Sequence, residues 1–359
     1  MKADTITKDY ISDREIFSDV FNYYIYGGRQ VITPEQLEER DPTEIALPYG
    51  ADGAAVPVQK FRDAQKLCAV MTDGKLEYVI CGAEAQARIH NAMAVRNNLY
   101  DALEYAGQAS EAAKSHRKAM QKERAQKQES GEENTGKEST EEGKKTPDSH
   151  EFLSGFWNGD RLIPSVTVTI YFGADEWTGP RSLLEMMEVD DPKVKACLND
   201  YKLHVIAPAQ MPDEEIGKLQ SSLREVLLFI KYSKNKEELD RILRENEERF
   251  KEVERRAVDV IEVMTNTQLK YEEREGKIDM CQAIQEMKME AELRGELRGE
   301  LRGELRGERK GERKGELKKA QEAARNFYNL GIEVEKIAQG LGYAVETVKS
   351  WVSLLPEQP

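Results

Sequence analysis

The sequence predicts an α/β fold, with strands in the middle of the chain and helices before and after them. Asp73 and Gly74 separate two segments of alternating apolar residues, which is the strongest short-range signal for a β-hairpin. Further apolar segments follow in PSVTVTIYF and YKLHVIAPA, whereas the residues from Pro212 to about Met289 have helical periodicity. At 359 residues, the chain is long enough for one substantial domain with accessory parts.

The predicted hairpin places two acidic residues opposite each other. If the Asp-Gly dipeptide is the two-residue loop, the register that follows from it puts Asp63 directly across from Glu84. Opposed side chains are about 4.5–5.5 Å apart at Cβ, and like charges there destabilise a sheet. A divalent cation with oxygen ligands, Mg2+ or Mn2+, would relieve this repulsion. The alternatives are a pair of solvated carboxylates, or a register shifted by one or two residues.

Glu84 closes the segment LEYVICGA, which is apolar enough to be a central strand. Acidic residues at the end of a buried strand are uncommon without a partner or a function. Gln86 lies two residues further on and therefore points to the same face of the sheet as Glu84. Asp63, Glu84 and Gln86 together form the predicted site.

Several motifs occur in an order that is found in a known family. A hairpin Asp in RDAQK is followed by Glu-x-Gln in GAEAQARIH and by a helix with Arg and Tyr in MAVRNNLYDALEYA. The opening segment REIFSDVFNYYIYGG, the strand and Trp-containing turn in IPSVTVTIYFGADEWTGPRSLLEM, and the charged tail agree with this order. Together they resemble the recombination-promoting nuclease/putative transposase family, a branch of the PD-(D/E)xK nuclease superfamily. The resemblance implies a restriction-endonuclease-like α/β core with an added helical subdomain and a helical C-terminal tail.

The resemblance also implies a function, that of a Mg2+- or Mn2+-dependent endonuclease that hydrolyses phosphodiester bonds in DNA during recombination or transposition. Carried over to this chain, Asp63 and Glu84 would hold the metal. Gln86 would be the third catalytic residue, at a position where the superfamily usually has Lys, so that an amide replaces a positive charge. A further metal-binding acid from the first helix is implied, with Asp19 preferred over Glu15. The alternative is a DNA-binding or interaction protein that keeps the fold but is catalytically weak or inactive.

The segment after Glu-x-Gln carries the predicted contacts with DNA. Arg88, Arg96 and Tyr100 are spaced by eight and four residues, which would place them on one face of a helix. Arginine binds phosphate oxygens through two parallel hydrogen bonds, so this face is a predicted phosphate-binding surface. The alternative is that Tyr100 belongs to the core and that the arginines pair with Asp101 or Glu104.

Composition restricts the context in which the protein works. The net charge of -14 argues against binding of nucleic acid over the whole surface, although a local basic cleft is compatible with it. The four cysteines are scattered and lack the spacing of a zinc site. We therefore expect a reduced, cytoplasmic protein without a membrane segment or signal peptide.

Composition also predicts the domain boundaries. Residues 1–106 are expected to form the N-terminal part of the core, and residues 151–285 its remainder and the helical subdomain. Residues 107–150 are dominated by Lys, Glu, Gln, Ser and Gly, and we expect them to be a disordered insertion, with a frayed extension of the preceding helix as the alternative.

The C-terminal part combines a repeat with a short patterned tail. ELRG occurs four times in residues 292–307, within a predicted linker at residues 286–319. Because each glycine costs about 1 kcal/mol relative to alanine in a helix, a solvated, partly helical linker is expected. The alternative is a segment that becomes helical against a partner chain or DNA.

Residues 320–359 resemble the helix-turn-helix ends of transposases and resolvases, with Lys349 facing the DNA groove. A packing or dimerisation unit is the alternative, so the expected partners are DNA and a second copy bound through this tail.

Overall fold

The computed structural model describes residues 2–40, 43–46, 58–72, 75–129 and 149–353. The chain divides into two compact units, with the boundary between Ile284 and Gln285. The first unit contains, in chain order, α1 (Lys2–Ser12), α2 (Arg14–Tyr26), β1 (Leu37–Glu39), β2 (Thr43–Ala46), β3 (Val58–Phe61), β4 (Ala64–Thr72), β5 (Lys75–Gln86), α3 (Met93–Glu129), α4 (Ser149–Ser154), β6 (Ser165–Tyr171), α5 (Pro192–Ala196), β7 (His204–Ile206), α6 (Asp213–Ile216), α7 (Leu223–Tyr232), α8 (Lys236–Glu245), α9 (Glu247–Phe250), β8 (Val253–Glu254), α10 (Arg255–Thr265), β9 (Glu273–Arg274) and β10 (Lys277–Ile278). The remaining helices are α11 (Met280–Asn329), which begins in the first unit, α12 (Val334–Leu341) and α13 (Val345–Val352).

A five-stranded mixed sheet forms the centre of the first unit, in the order β1-β4-β5-β6-β7. β1, β4 and β5 are antiparallel neighbours, whereas β5, β6 and β7 run parallel. The parallel step from β5 to β6 requires a crossover, which contains α3. This mixed α/β architecture is the fold class that the alternation of strand and helix patterns predicts.

The hairpin of β4 and β5 has the predicted register. Thr72 pairs with Lys75, and the ladder continues without a bulge to Ala64 and Ala83. The next position beyond this ladder is Asp63 opposite Glu84. The predicted Asp-Gly loop itself, residues 73–74, lies outside the described residues.

Helices cover both faces of the sheet. Successive residues of a strand point to opposite faces, so the partners of Gln65 and Lys66 identify the two layers. The amide of Gln65 donates a hydrogen bond to Glu104 of α3, whereas the ammonium of Lys66 lies 5.3 Å from the centre of the Phe17 ring in α2. β5, the neighbour of β4 in the sheet, is buried from Ile80 to Glu84. This burial confirms that β5 is a central strand.

Three parts of the first unit differ from the sequence predictions. Residues 107–129 are not a disordered insertion but the continuation of α3. Ala, Glu, Lys, Gln and Arg, which dominate this segment, are strong helix formers. Residues 130–148 lie outside the described residues. The helical pattern after Pro212 is interrupted by a small sheet in the order β8-β10-β9. The segment YKLHVIAPA contributes only the three residues of β7. None of the helices in the described ranges is long and apolar enough to cross a membrane.

The second unit contains the repeat and the tail. α11 is helical through all four ELRG repeats, so the predicted partly helical linker is a continuous helix here. Its last turns pack against α12 and α13 through a small apolar cluster of Ala324, Ile337, Ala338, Val348 and Trp351. Gly342 ends α12 with φ +72°, a conformation that glycine adopts without strain.

Candidate active site

The Asp63 and Glu84 side chains meet at the end of the β4–β5 hairpin, as predicted. The backbone N–H of Asp63 donates a hydrogen bond to Glu84 Oε1 at 3.3 Å. In the opposite direction, the N–H of Ala85 donates to Asp63 Oδ2 at 3.0 Å. Each carboxylate is therefore held by the backbone of the other strand, which fixes both at the same place on the sheet.

Glu84 is a buried carboxyl with an unusual protonation equilibrium. Burial raises its pKa to about 8, and the neighbouring charge of Asp63 contributes to the rise, while Arg96 opposes it. Glu84 Oε2 lies 3.0 Å from Arg96 Nη2 but has no hydrogen-bond partner of acceptable geometry. A buried carboxylate oxygen without a hydrogen bond is costly in a folded protein, so this atom is suited to a further ligand.

Asp63 is more accessible than Glu84, and charges from two helices act on it. Burial raises its pKa, whereas the Ala85 N–H, Arg96 and Lys8 lower it, and Asp4 raises it. Asp4 and Lys8 are one turn apart in α1, so charges of the N-terminal helix act on the site in addition to Arg96 of α3. The sequence offered no signal for this contribution, because the segment that resembles the family's opening helix, REIFSDVFNYYIYGG, forms α2 and not α1.

Asp19, the predicted third metal ligand, has a different set of partners. It is buried in α2, and its carboxylate accepts hydrogen bonds from the N–H groups of Gln220 and Ser221 at 2.8–3.1 Å. The Ser221 hydroxyl donates a further bond at 2.6 Å. Both carboxylate oxygens are thus engaged in holding the loop before α7.

Gln86 ends β5 at the open end of the site. Its backbone carbonyl accepts a hydrogen bond from Phe172 N at 2.9 Å, so the strand stays within the sheet up to this residue. By strand alternation, the Gln86 side chain lies on the same face as Glu84, and it is half-buried. The three residues of the predicted site therefore share one face and one end of the hairpin.

Arg96 places its positive charge beside Glu84. Arg88, in contrast, does not lie on the helix on which it was expected. Because β5 continues to Gln86, the chain must turn before the helix, and α3 begins only at Met93. Arg88 is therefore an exposed residue of the connecting bend, and the prediction that it shares a helical face with Arg96 and Tyr100 is wrong. Arg96 Nε donates to the Tyr100 hydroxyl at 2.7 Å, and Tyr100 is buried.

The residue that precedes Asp63 takes part in a buried ion pair. Arg62, the residue before Asp63, is fully buried, and its Nη2 donates to Asp101 Oδ1 at 2.9 Å. A Cβ atom at position 82 would lie 2.4 Å from Arg62 Nη1, so the guanidinium requires the glycine that β5 has there. Neither the ion pair nor the requirement for Gly82 is predicted from the sequence. The position of Arg62 directly before Asp63 is the one indication that it belongs to this region. Asp101 accepts further hydrogen bonds from Ser165, Thr167 and Tyr201.

Asp63 and Glu84 form a two-carboxylate site. In the part of the chain that the structure describes, no group of three or more His, Cys, Asp or Glu side chains could hold a metal ion. A pair of carboxylates nevertheless matches the usual protein contribution to a Mg2+ site, where water and substrate phosphate oxygens supply the other ligands. The residues present therefore fit a divalent cation that binds together with a phosphate.

Lys349, the predicted DNA-contacting residue of the tail, belongs to the second unit. It is exposed on α13, and its Nζ lies 3.6 Å from Glu335 Oε1 of α12. On the same helix, Trp351 and Val348 pack into the apolar cluster. The second helix of the tail thus has one packed side and one solvent side, which carries Lys349.

The comparisons with known proteins identify one relationship. Residues 158–260 match the family model described as "Putative transposase, YhgA-like". This segment is similar to transposases. The transposase match begins before β6 and ends within α10, so it includes β6 and β7 of the central sheet but not β5, Asp63 or Glu84. No curated protein and no solved structure matches the chain.

Proposed function

We propose that this protein is a metal-dependent DNA endonuclease that acts in transposition or recombination. The observation that supports this best is the Asp63–Glu84 pair, in which a buried carboxylate oxygen lacks a hydrogen bond and the Glu84 pKa is raised to about 8. Strongly perturbed carboxyl groups that face each other are typical of active sites. The transposase match of residues 158–260 supports a substrate of DNA rather than another phosphodiester.

In this proposal, Asp63 and Glu84 hold Mg2+ or Mn2+ at the end of the hairpin. A bound divalent cation would acidify a water molecule and offset the negative charge that develops on the scissile phosphate. Asp63 Oδ2 is fixed by the Ala85 N–H, which leaves its other oxygen for the metal. Glu84 would contribute Oε2, the oxygen without a hydrogen bond. Asp19 has no place in this ligand set, because its oxygens hold the loop at residues 220–221.

Gln86 and Arg96 would share the role that a lysine has in most of the superfamily. The Gln86 amide can orient a water or a phosphate oxygen by hydrogen bonds, but it brings no charge. Arg96 supplies the positive charge instead, since its guanidinium already lies 3.0 Å from Glu84. With a divalent cation held by Glu84, Arg96 would be available to bind a phosphate oxygen. Arg88, exposed two residues after Gln86, would be a second phosphate contact.

The arrangement of the elements supports a PD-(D/E)xK core as the framework for this chemistry. An antiparallel hairpin carries the first acid, the next strand carries Glu-x-Gln, and a crossover helix leads to a parallel strand. The Glu-x-Gln strand is central and buried, which excludes water from one side of the carboxylates. α3 in turn brings Arg96 to the face on which Glu84 lies.

The proposal is tested by nicking of supercoiled plasmid DNA with Mg2+ or Mn2+ and with EDTA. Asp63→Asn and Glu84→Gln preserve side-chain size while removing the charges, so both are expected to lose at least about 100-fold in rate, the scale of one essential catalytic group. Glu77→Gln is the matched control, because Glu77 is an exposed acid at the other end of β5. Metal-independent nicking of equal rate in all four proteins would contradict the proposal.

A second candidate function is a non-catalytic DNA-binding protein that keeps the same fold. Gln86, at a position where the superfamily usually has lysine, favours the loss of catalysis. In this case, the wild-type protein and Glu84→Gln would show equal DNA affinity in a gel-shift assay and no nicking by either. If Lys349 faces DNA, Lys349→Ala would lower that affinity in the same assay and reduce its salt dependence.

A further inference from the structure

The four ELRG repeats of α11, residues 292–307, place large apolar side chains on the surface of a continuous helix. The exposed fractions are 58%, 56%, 59% and 48% for Leu293, Leu297, Leu301 and Leu305. A row of half-exposed leucines is the pattern of a helix that packs against another element. The repeat glycines are equally open, because a Cβ atom added at any of them would meet no atom within 4 Å outside the helix itself.

Helix geometry separates the residue types of the repeat into four strips. An α-helix turns by about 100° per residue, so each four-residue repeat advances the pattern by about 40°. The leucines therefore occupy an arc of roughly 120°, which we call the leucine face. The glutamates, which precede the leucines, lie along one edge of this arc, and the arginines, which follow them, lie along the other. The glycines occupy the opposite side of the helix.

We propose that the leucine face binds the same face of a second copy of this chain, with the two helices parallel and in register. In a parallel pair, one edge of each apolar face lies against the opposite edge of the partner. Here that arrangement places the glutamate edge against the arginine edge on both sides of the contact. An antiparallel pair would place glutamates against glutamates and arginines against arginines. Charge complementarity thus selects both the partner and the orientation.

The spacing of the leucines also sets the geometry of the pair. A repeat of four residues is longer than the 3.6 residues of a helical turn, so the leucine face follows a right-handed path around the helix. Two such helices therefore cross with a right-handed twist. This surface is distinct from the apolar cluster of the tail, which is formed by Ala324, Ile337, Ala338, Val348 and Trp351.

The oligomeric state of the full chain tests this interface, measured by size-exclusion chromatography with light scattering. The wild type is expected to have twice the mass of one chain, and Leu297→Ala with Leu301→Ala to raise the dissociation constant by roughly tenfold or more. The matched control is Gly299→Ala with Gly303→Ala, which adds methyl groups on the opposite side and raises helix propensity. This control is expected to remain dimeric. A monomeric wild type, a dissociation constant that the leucine substitutions leave unchanged, or a dimer lost only in the glycine variant would overturn the proposal.

Cysteine cross-linking tests the orientation. In a background with Cys197→Ser and Cys281→Ser, Leu293→Cys and Leu305→Cys place one thiol at either end of the leucine face, about 18 Å apart along the helix. A parallel pair predicts that each variant forms a disulfide with itself under mild oxidation. Cross-links that form only when the two variants are mixed would show an antiparallel pair and overturn the proposal.

Discussion

Glu84→Gln is expected to stabilise the protein, and the gain is expected to grow with pH. Below pH 4.5, the ordinary value for Glu, the carboxyl is protonated in both the folded and the unfolded chain. Above it, the unfolded chain releases this proton, whereas burial keeps Glu84 protonated in the folded chain up to a pKa of about 8. The folded state then binds more protons than the unfolded state, so the free energy of unfolding of the wild type falls as pH rises through this window. Glutamine cannot ionise and escapes this loss.

The size of the effect follows from the same pKa. One pH unit corresponds to about 1.4 kcal/mol for a single group, so between pH 5 and pH 8 the wild type loses roughly 4 kcal/mol relative to Glu84→Gln. Such a loss is a large part of the stability of an ordinary domain. The active site would therefore be maintained at a cost in stability, which a bound cation recovers by neutralising the ionised carboxylate.

Urea unfolding of the wild type and Glu84→Gln at pH 5, 6.5 and 8 measures this difference, with Glu77→Gln as the control. The two main proteins should differ little at pH 5 and by several kcal/mol at pH 8, whereas Glu77→Gln should follow the wild type. Added Mn2+ should narrow the gap at pH 8 by stabilising only the wild type. A difference that stays within about 0.5 kcal/mol over the whole range, the scale of an ordinary surface substitution, would refute the reasoning.

Three further substitutions separate the roles of neighbouring charges. Arg96→Met removes a charge that lowers the pKa of Glu84, so nicking should slow and its pH dependence should shift upward; an unchanged pH profile would contradict this role. Arg62→Met leaves Asp101 buried without its guanidinium partner and should lower the free energy of unfolding by about 3–5 kcal/mol in urea titrations, and a loss under about 1 kcal/mol would argue against the ion pair. Asp19→Asn should cost about 1–3 kcal/mol while Mn2+ affinity in calorimetry is unchanged, and a loss of Mn2+ binding would restore Asp19 as a metal ligand.

The hairpin shows what the sequence could predict. Its register follows from one turn dipeptide and from the period of two that governs side-chain direction, and both are local properties of the chain. Once Thr72 is paired with Lys75, the meeting of Asp63 and Glu84 follows without any knowledge of the rest of the fold. The central position of β5 was likewise predictable, because only a strand covered on both faces is apolar along most of its length.

Tertiary neighbours could not be predicted in the same way. Asp19 lies in a helix with an ordinary amphipathic pattern, and only the folded chain shows that its partners are 201 and 202 positions away. Helical spacing does not place Arg88, because this residue follows the end of β5, where the chain turns before α3 begins at Met93. The buried pair of Arg62 and Asp101 has no local pattern at all, since a charged residue in a core is recognised only by its partner.

The C-terminal repeat shows how far propensity arguments reach. Glycine at every fourth position predicted a weak helix, yet α11 is continuous through the repeats. Intrinsic propensity is a weak prior, and the other three residue types of ELRG are all good helix formers. A parallel second copy would add the packing that an isolated helix of this composition lacks.

Calorimetric titration of Mn2+ into the protein tests most directly whether Asp63 and Glu84 hold a divalent cation. With a Glu84 pKa of about 8, the carboxyl is roughly nine-tenths protonated at pH 7, so binding should release close to one proton, which is measured by repeating the titration in buffers of different ionisation enthalpy. Asp63→Asn and Glu84→Gln should abolish this binding, and Glu77→Gln should bind as the wild type does. Absent binding by the wild type, or equal binding by the two site variants, would contradict the account.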